Sequence, residues 1–93
     1  MSLRMEDMKV GAVYKMKQHI ALSVYNPPTT GPEYRKGPRR VVKDLSVVSG
    51  SNVILLDMFR QANCYIVNLM VGMEVGETVL RRDWIDFYFQ RTE

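Results

Sequence analysis

The sequence predicts an all-β domain, a small barrel of five or six short antiparallel strands. Three observations carry this. Two strongly apolar runs, 53–59 and 64–71, lie mid-chain between turn-forming segments and are rich in Val, Ile, Leu and Tyr. Alternation with a period of two marks the N-terminal part, where Val10, Ala12, Tyr14 and Met16 face one way and Lys15 and Lys17 the other. All four prolines fall within 27–38, together with Gly31 and Gly37, so the chain has one long loop.

Taken in order, residues 1–9 read as a leader or cloning remnant outside the fold, and 10–93 as a single domain. Residues 10–17 form a half-exposed strand. Ile20, Leu22 and Val24 then share one face, either as a second strand or as the first one continuing after a kink. The Pro-rich loop follows, and its end is basic. Residues 40–48 make a strand with an irregularity expected near Lys43 and Asp44, where a bulge would shift the alternation. Ser49, Gly50, Ser51 and Asn52 form a tight turn.

The two central runs come next, joined by residues 60–63. Leu55, Met58, Phe59 and Ala62 also fit helical spacing, so a two-turn helix over 54–62 is the rival reading. The β-branched residues that open the run, and the plain strand beside it, favour strand. Gly72 and Gly76 bracket a hairpin turn, and residues 78–80 are short and strand-like. Residues 81–84 break the alternation as a single helical turn. The last strand, 85–91, sets Ile85, Phe87 and Phe89 against Asp86, Tyr88 and Gln90.

Composition excludes more than it selects. With 46% apolar and 25% charged residues the chain is globular. No apolar run approaches the roughly 20 residues that span a bilayer, so no membrane partner is expected. The lone Cys64 excludes an internal disulfide and a Cys-cluster metal site, and a buried free thiol fits the cytoplasm. His19 is the sole histidine and has no metal-ligand spacing around it. With no paired acid and base, no activated nucleophile and no phosphate-binding loop, no enzyme, cofactor or metal is expected. Net charge is +3, unevenly spread: residues 1–46 hold nine Lys and Arg against four Asp and Glu.

Residues 21–25, ALSVY, followed by a long loop, resemble the ALYDY segment and RT loop of SH3 domains. Gly76, the β character of Thr78 and Val79, and then Trp84 and Ile85 are similar to the pattern that closes that fold. The resemblance covers residues 10–91 in outline and implies an SH3-like barrel. That fold is shared by peptide binders, nucleic-acid binders and small phage or bacterial accessory proteins. The chain departs from the proline-binding members: its long loop is basic, Tyr65 stands where a Trp is expected, and no proline follows Gly76. The barrel is therefore carried over and the peptide specificity is not.

These features point to a non-enzymatic binding module for a protein or peptide. Tyr14, Tyr25, Tyr34, Tyr65, Trp84 and Tyr88 would line a groove between the long loop and the closing turn. The bland reading of Trp84 is a plug for one open end of the barrel. The alternative function is nucleic-acid binding by the basic stretch 34–43, where Arg35, Lys36, Arg39, Arg40 and Lys43 would hold phosphates while Tyr34 stacks. The apolar central strands make a second copy of the chain a further candidate partner.

Overall fold

The computed structural model describes residues 3–26 and 40–92. Seven strands form one antiparallel sheet: β1 (Val13–Met16), β2 (Ile20–Asn26), β3 (Arg40–Val47), β4 (Asn52–Gln61), β5 (Cys64–Val71), β6 (Glu74–Arg81) and β7 (Phe89–Arg91). Their order across the sheet is β3-β2-β6-β5-β4-β1-β7. The sheet is open, with β3 and β7 at its edges. Buried side chains from every strand, including both edges, nevertheless meet in one core. The sheet therefore curls around that core without closing.

The two apolar runs are extended and adjacent. β4 pairs with β5 from Ile54↔Met70 to Gln61↔Cys64, and the helical alternative for 54–62 does not form. One extra residue, Leu56, interrupts this ladder as a bulge. β5 lies mid-sheet, and four consecutive residues, Ile66 to Leu69, are buried there. A strand covered on both faces reads as a continuous apolar run, which is why its sequence signal was so plain.

The strand count exceeds expectation because residues 10–26 divide. β1 pairs with β4 and β7, whereas β2 pairs with β3 and β6, so the chain changes its place in the sheet at Lys17–His19 instead of continuing through a kink. The β3 irregularity lies at Val42, one residue before the expected place, between the pairs Val24↔Lys43 and Tyr25↔Val41. The segment read as the last strand is also divided. Residues Arg82–Trp84 form a 3-10 turn, Ile85–Tyr88 form a short helix, α1, and only Phe89–Arg91 is strand. Ile85 and Phe89 enter the core four residues apart, a helical spacing, and Phe87 is left outside it.

Residues 3–8 belong to the fold instead of standing apart as a leader. A 3-10 turn at Met5–Asp7 carries Leu3 and Met5 into the core, at 6% and 7% exposure. The Leu3 N–H donates to Asp86 Oδ1 at 2.7 Å, and Arg82 and Arg91 form ion pairs with Glu6 and Asp7. The Arg4 N–H at 3.0 Å, more than any other group, holds the Asp7 carboxyl below its ordinary pKa.

Two hairpins close with two residues each. In the β5–β6 turn, Gly72 takes a φ of +61°, which glycine adopts without penalty. In the β4–β5 turn the same first position is Ala62, at φ +56°. A left-handed conformation costs an L-residue about 1–2 kcal/mol, partly offset because glycine would lose more chain entropy on folding. Ala62→Gly is therefore expected to stabilise the domain by about 0.5–1 kcal/mol, a rise in Tm of about 3–6 °C. Calorimetry checks this, and an unchanged or lower Tm would mean the turn relaxes at no cost.

Candidate functional site

β6 ends at Arg81 and the chain turns at once into the 3-10 turn and α1. Because Ile85 and Phe89 point into the core, Trp84 and Phe87 are turned outward, while Tyr88 stays half-buried at the core's margin. Trp84 is 41% exposed and Phe87 54%. Tyr88 links them, with its ring 6.5 Å from Trp84 and 5.0 Å from Phe87, both edge-on. The Arg81 guanidinium lies 5.7 Å from the centre of the Trp84 ring, within cation–π range. Two residues back along the same face of β6, Val79 is 49% exposed. Val79, Arg81, Trp84 and Phe87 thus lie along one exposed band, with the half-buried Tyr88 between the two rings.

The residues expected to act together are placed apart. Tyr25 is half-buried near the end of β2, opposite Val41, while Arg40 and Lys43 are exposed on the edge strand β3. Lys43 is engaged by Glu74, at the start of β6. Trp84 lies beyond the other end of β6, and a strand from Glu74 to Arg81 runs about 23 Å. Tyr25 and Trp84 thus lie toward opposite ends of β6, and the loop expected to join them into a groove, 27–39, lies outside the described residues. Tyr34, Arg35, Lys36 and Arg39 lie outside the described residues. Nor does Trp84 plug the fold: it is 41% exposed and is not among the core side chains, which include Leu3, Met5, Ile85 and Phe89.

Of the other tyrosines, Tyr14 is a core residue. It is buried edge-on against Phe89 at 6.1 Å, and its hydroxyl accepts the Lys9 N–H at 2.8 Å. Tyr65 and Tyr88 pack against the core from its margin. Among the described cations, Arg4, Lys17, Lys43, Arg81, Arg82 and Arg91 each lie within 4.0 Å of a carboxylate. Lys9, Lys15, Arg40 and Arg60, the other described cations, have no carboxylate at that distance among the described residues, so the described surface mixes paired and unpaired cations.

On the sheet face away from the core, the register sets Asp57, Asn68, Glu77, Ser23 and Asp44 in one row across five strands. Asn68 and Glu77 are buried there, and neither lacks a partner. Among the described residues no three His, Cys, Asp or Glu side chains are grouped to hold a metal ion. His19 is exposed and Cys64 half-buried. No described helix is long and apolar enough to cross a membrane.

Sequence reasoning singled out Trp84 and passed over Arg81, Val79 and Phe87. The signal was present in the spacing of Ile85 and Phe89, which leaves Trp84 and Phe87 off the buried side of a helical turn. Comparison with family models, curated proteins and solved structures gives no match.

Proposed function

We propose that this chain is a non-enzymatic binding module that recognises a protein or peptide through the exposed band at the end of β6. The observation that carries this is the exposure of Trp84 and Phe87 side by side with Arg81. Trp, Tyr and Arg are the residue types that dominate binding energy at protein interfaces. A domain of 93 residues has no need to leave a tryptophan and a phenylalanine in water.

The order of elements supports an SH3-like barrel as the finer description of the fold. A first strand pairs with the last, a two-stranded hairpin follows it, then a three-stranded meander, and a helical turn precedes the closing strand. A single unpaired thiol, Cys64, is in keeping with work in the cytoplasm. Protein is preferred to nucleic acid because most of the described cations have a carboxylate within 4.0 Å, while the exposed band is mainly apolar and aromatic; phosphate binding calls for a field of free cations.

Selection of random displayed peptides against the wild-type chain tests this. Enriched peptides are expected to lose binding at least tenfold to the Phe87→Ser variant, in keeping with removal of an aromatic anchor. The variant's thermal midpoint should stay within a few degrees of wild type, because the side chain is half exposed. If no peptide is enriched, or if short oligonucleotides bind at 50 mM salt and Phe87→Ser leaves that unchanged, the proposal fails.

A further inference from the structure

The geometry points to the chemistry of the partner: we infer that the band takes an extended segment carrying a carboxylate beside an apolar or aromatic side chain, with Arg81 as the anion-binding group. This rests on the reading just given. Three observations single out Arg81. Its guanidinium lies over the Trp84 ring at 5.7 Å, which favours this placement over the side chain's others. Its side chain remains 62% exposed. It is also flanked by exposed apolar surface on both sides, at Val79 along the strand and at Phe87 beyond Trp84.

A planar guanidinium set against an aromatic ring has less side-chain freedom to lose when it makes a two-point contact with a carboxylate. The other arginine close by is not free in this way, since Arg82 is engaged by Glu6. The apolar flanks supply what a free anion cannot use. A segment with both an acidic and a hydrophobic residue satisfies both halves of the band.

Asp83 makes the idea testable in sign. Its Oδ1 lies 3.7 Å from Arg81 Nε, beyond hydrogen-bonding distance, and both side chains are largely exposed. It acts as a weak internal competitor that an incoming carboxylate displaces. Removing its charge frees Arg81 and should strengthen binding, whereas a residue that merely supports the fold would never improve binding when neutralised.

The probe is the tightest peptide from the displayed library, measured by calorimetry beside a copy in which each Asp and Glu is Asn or Gln. The peptide is expected to carry acidic residues next to an apolar one. Arg81→Gln should weaken it about tenfold, Arg81→Lys nearly as much because a lysine is a point charge without the planar fork, and Asp83→Asn should tighten it by about two- to fivefold. The amide copy should bind wild type weakly and be indifferent to all three changes. Peptides that depend on Phe87 but ignore Arg81 and Asp83, or a selected sequence that is basic, would overturn this inference and leave the binding-module proposal standing. Tight binding by single-stranded oligonucleotides that is lost in Arg81→Gln would replace the carboxylate by a phosphate and overturn it as well. Failure to enrich any peptide would remove both.

Discussion

Gly76→Ala is expected to destabilise the domain by about 2–3 kcal/mol, roughly a 10–20 °C fall in Tm, although alanine is otherwise the mildest replacement for glycine. The reason is the seam between β2 and β6. These strands pair at a single position, Ser23↔Glu77, and the adjacent Gly76 is buried beneath Leu22. A methyl group built on Gly76 would come within 2.6 Å of the Leu22 Cβ, 2.9 Å of its Cδ1 and 3.3 Å of its Cγ. The last two contacts could be relieved by a change of rotamer. The first cannot, because a Cβ moves only with its backbone. Trimming Leu22 to alanine would remove the outer carbons and keep the offending one, so the double variant Leu22→Ala, Gly76→Ala should show no rescue. Urea unfolding of the two single variants and the double decides it. A Gly76→Ala variant within 0.5 kcal/mol of wild type would mean that β2 can move away freely.

Phe89→Ala should cost more still, about 3–5 kcal/mol. Phe89 is fully buried, opens β7 opposite Met16 and packs edge-on against Tyr14. A domain of this size has only about 5–14 kcal/mol of stability in total. The variant is therefore expected to be partly unfolded at 37 °C and to lose its cooperative thermal transition, as read by near-ultraviolet circular dichroism. Phe87, two residues earlier, provides the control: Phe87→Ala should shift stability by less than about 1 kcal/mol. Equal effects at the two positions would show that 85–91 is one straight strand with both rings on the same face.

That pair of phenylalanines shows where the sequence could and could not be read. The alternation Ile85, Phe87, Phe89 is real as a pattern, yet four residues of it are helical. A run of seven residues fits a period of two and a period of three to four almost equally well. The decision fell to the core, which needed Ile85 and Phe89 and had no room for Phe87. The central strands were legible because β5 is buried on both faces, so apolar residues run through it with Asn68 as the single polar interruption. The place of Leu3 and Met5 was hidden for the opposite reason: two apolar residues in a polar stretch carry no periodicity, and only the open end of a curled sheet gives them a destination. Gly76 was read as a turn residue needing positive φ. Its role is steric, set by a strand distant in sequence, and local spacing carries no trace of that.

The candidate surface was half legible. An exposed tryptophan near the closing turn could be named from the sequence alone, but its companions could not. They were sought among the tyrosines and the basic loop, and β6 separates Trp84 from Tyr25, Arg40 and Lys43 by the length of a strand. Arg81, the neighbour that touches it, looked like one of two ordinary surface arginines.

The position of β1 between β4 and β7 has a consequence for how the molecule is made. Tyr14 pairs with Val53 on one side and with Arg91 on the other, so a strand synthesised early completes its ladder only when residues 89–91, made about 75 residues later, leave the ribosome. The meander β4–β5–β6, whose pairings are all between chain neighbours, can organise beforehand, and its formation should set the early kinetic phase. Closure of the last edge should follow in the millisecond-to-second range, and until then the nascent chain carries an unprotected row of β1 amides that can attract another chain.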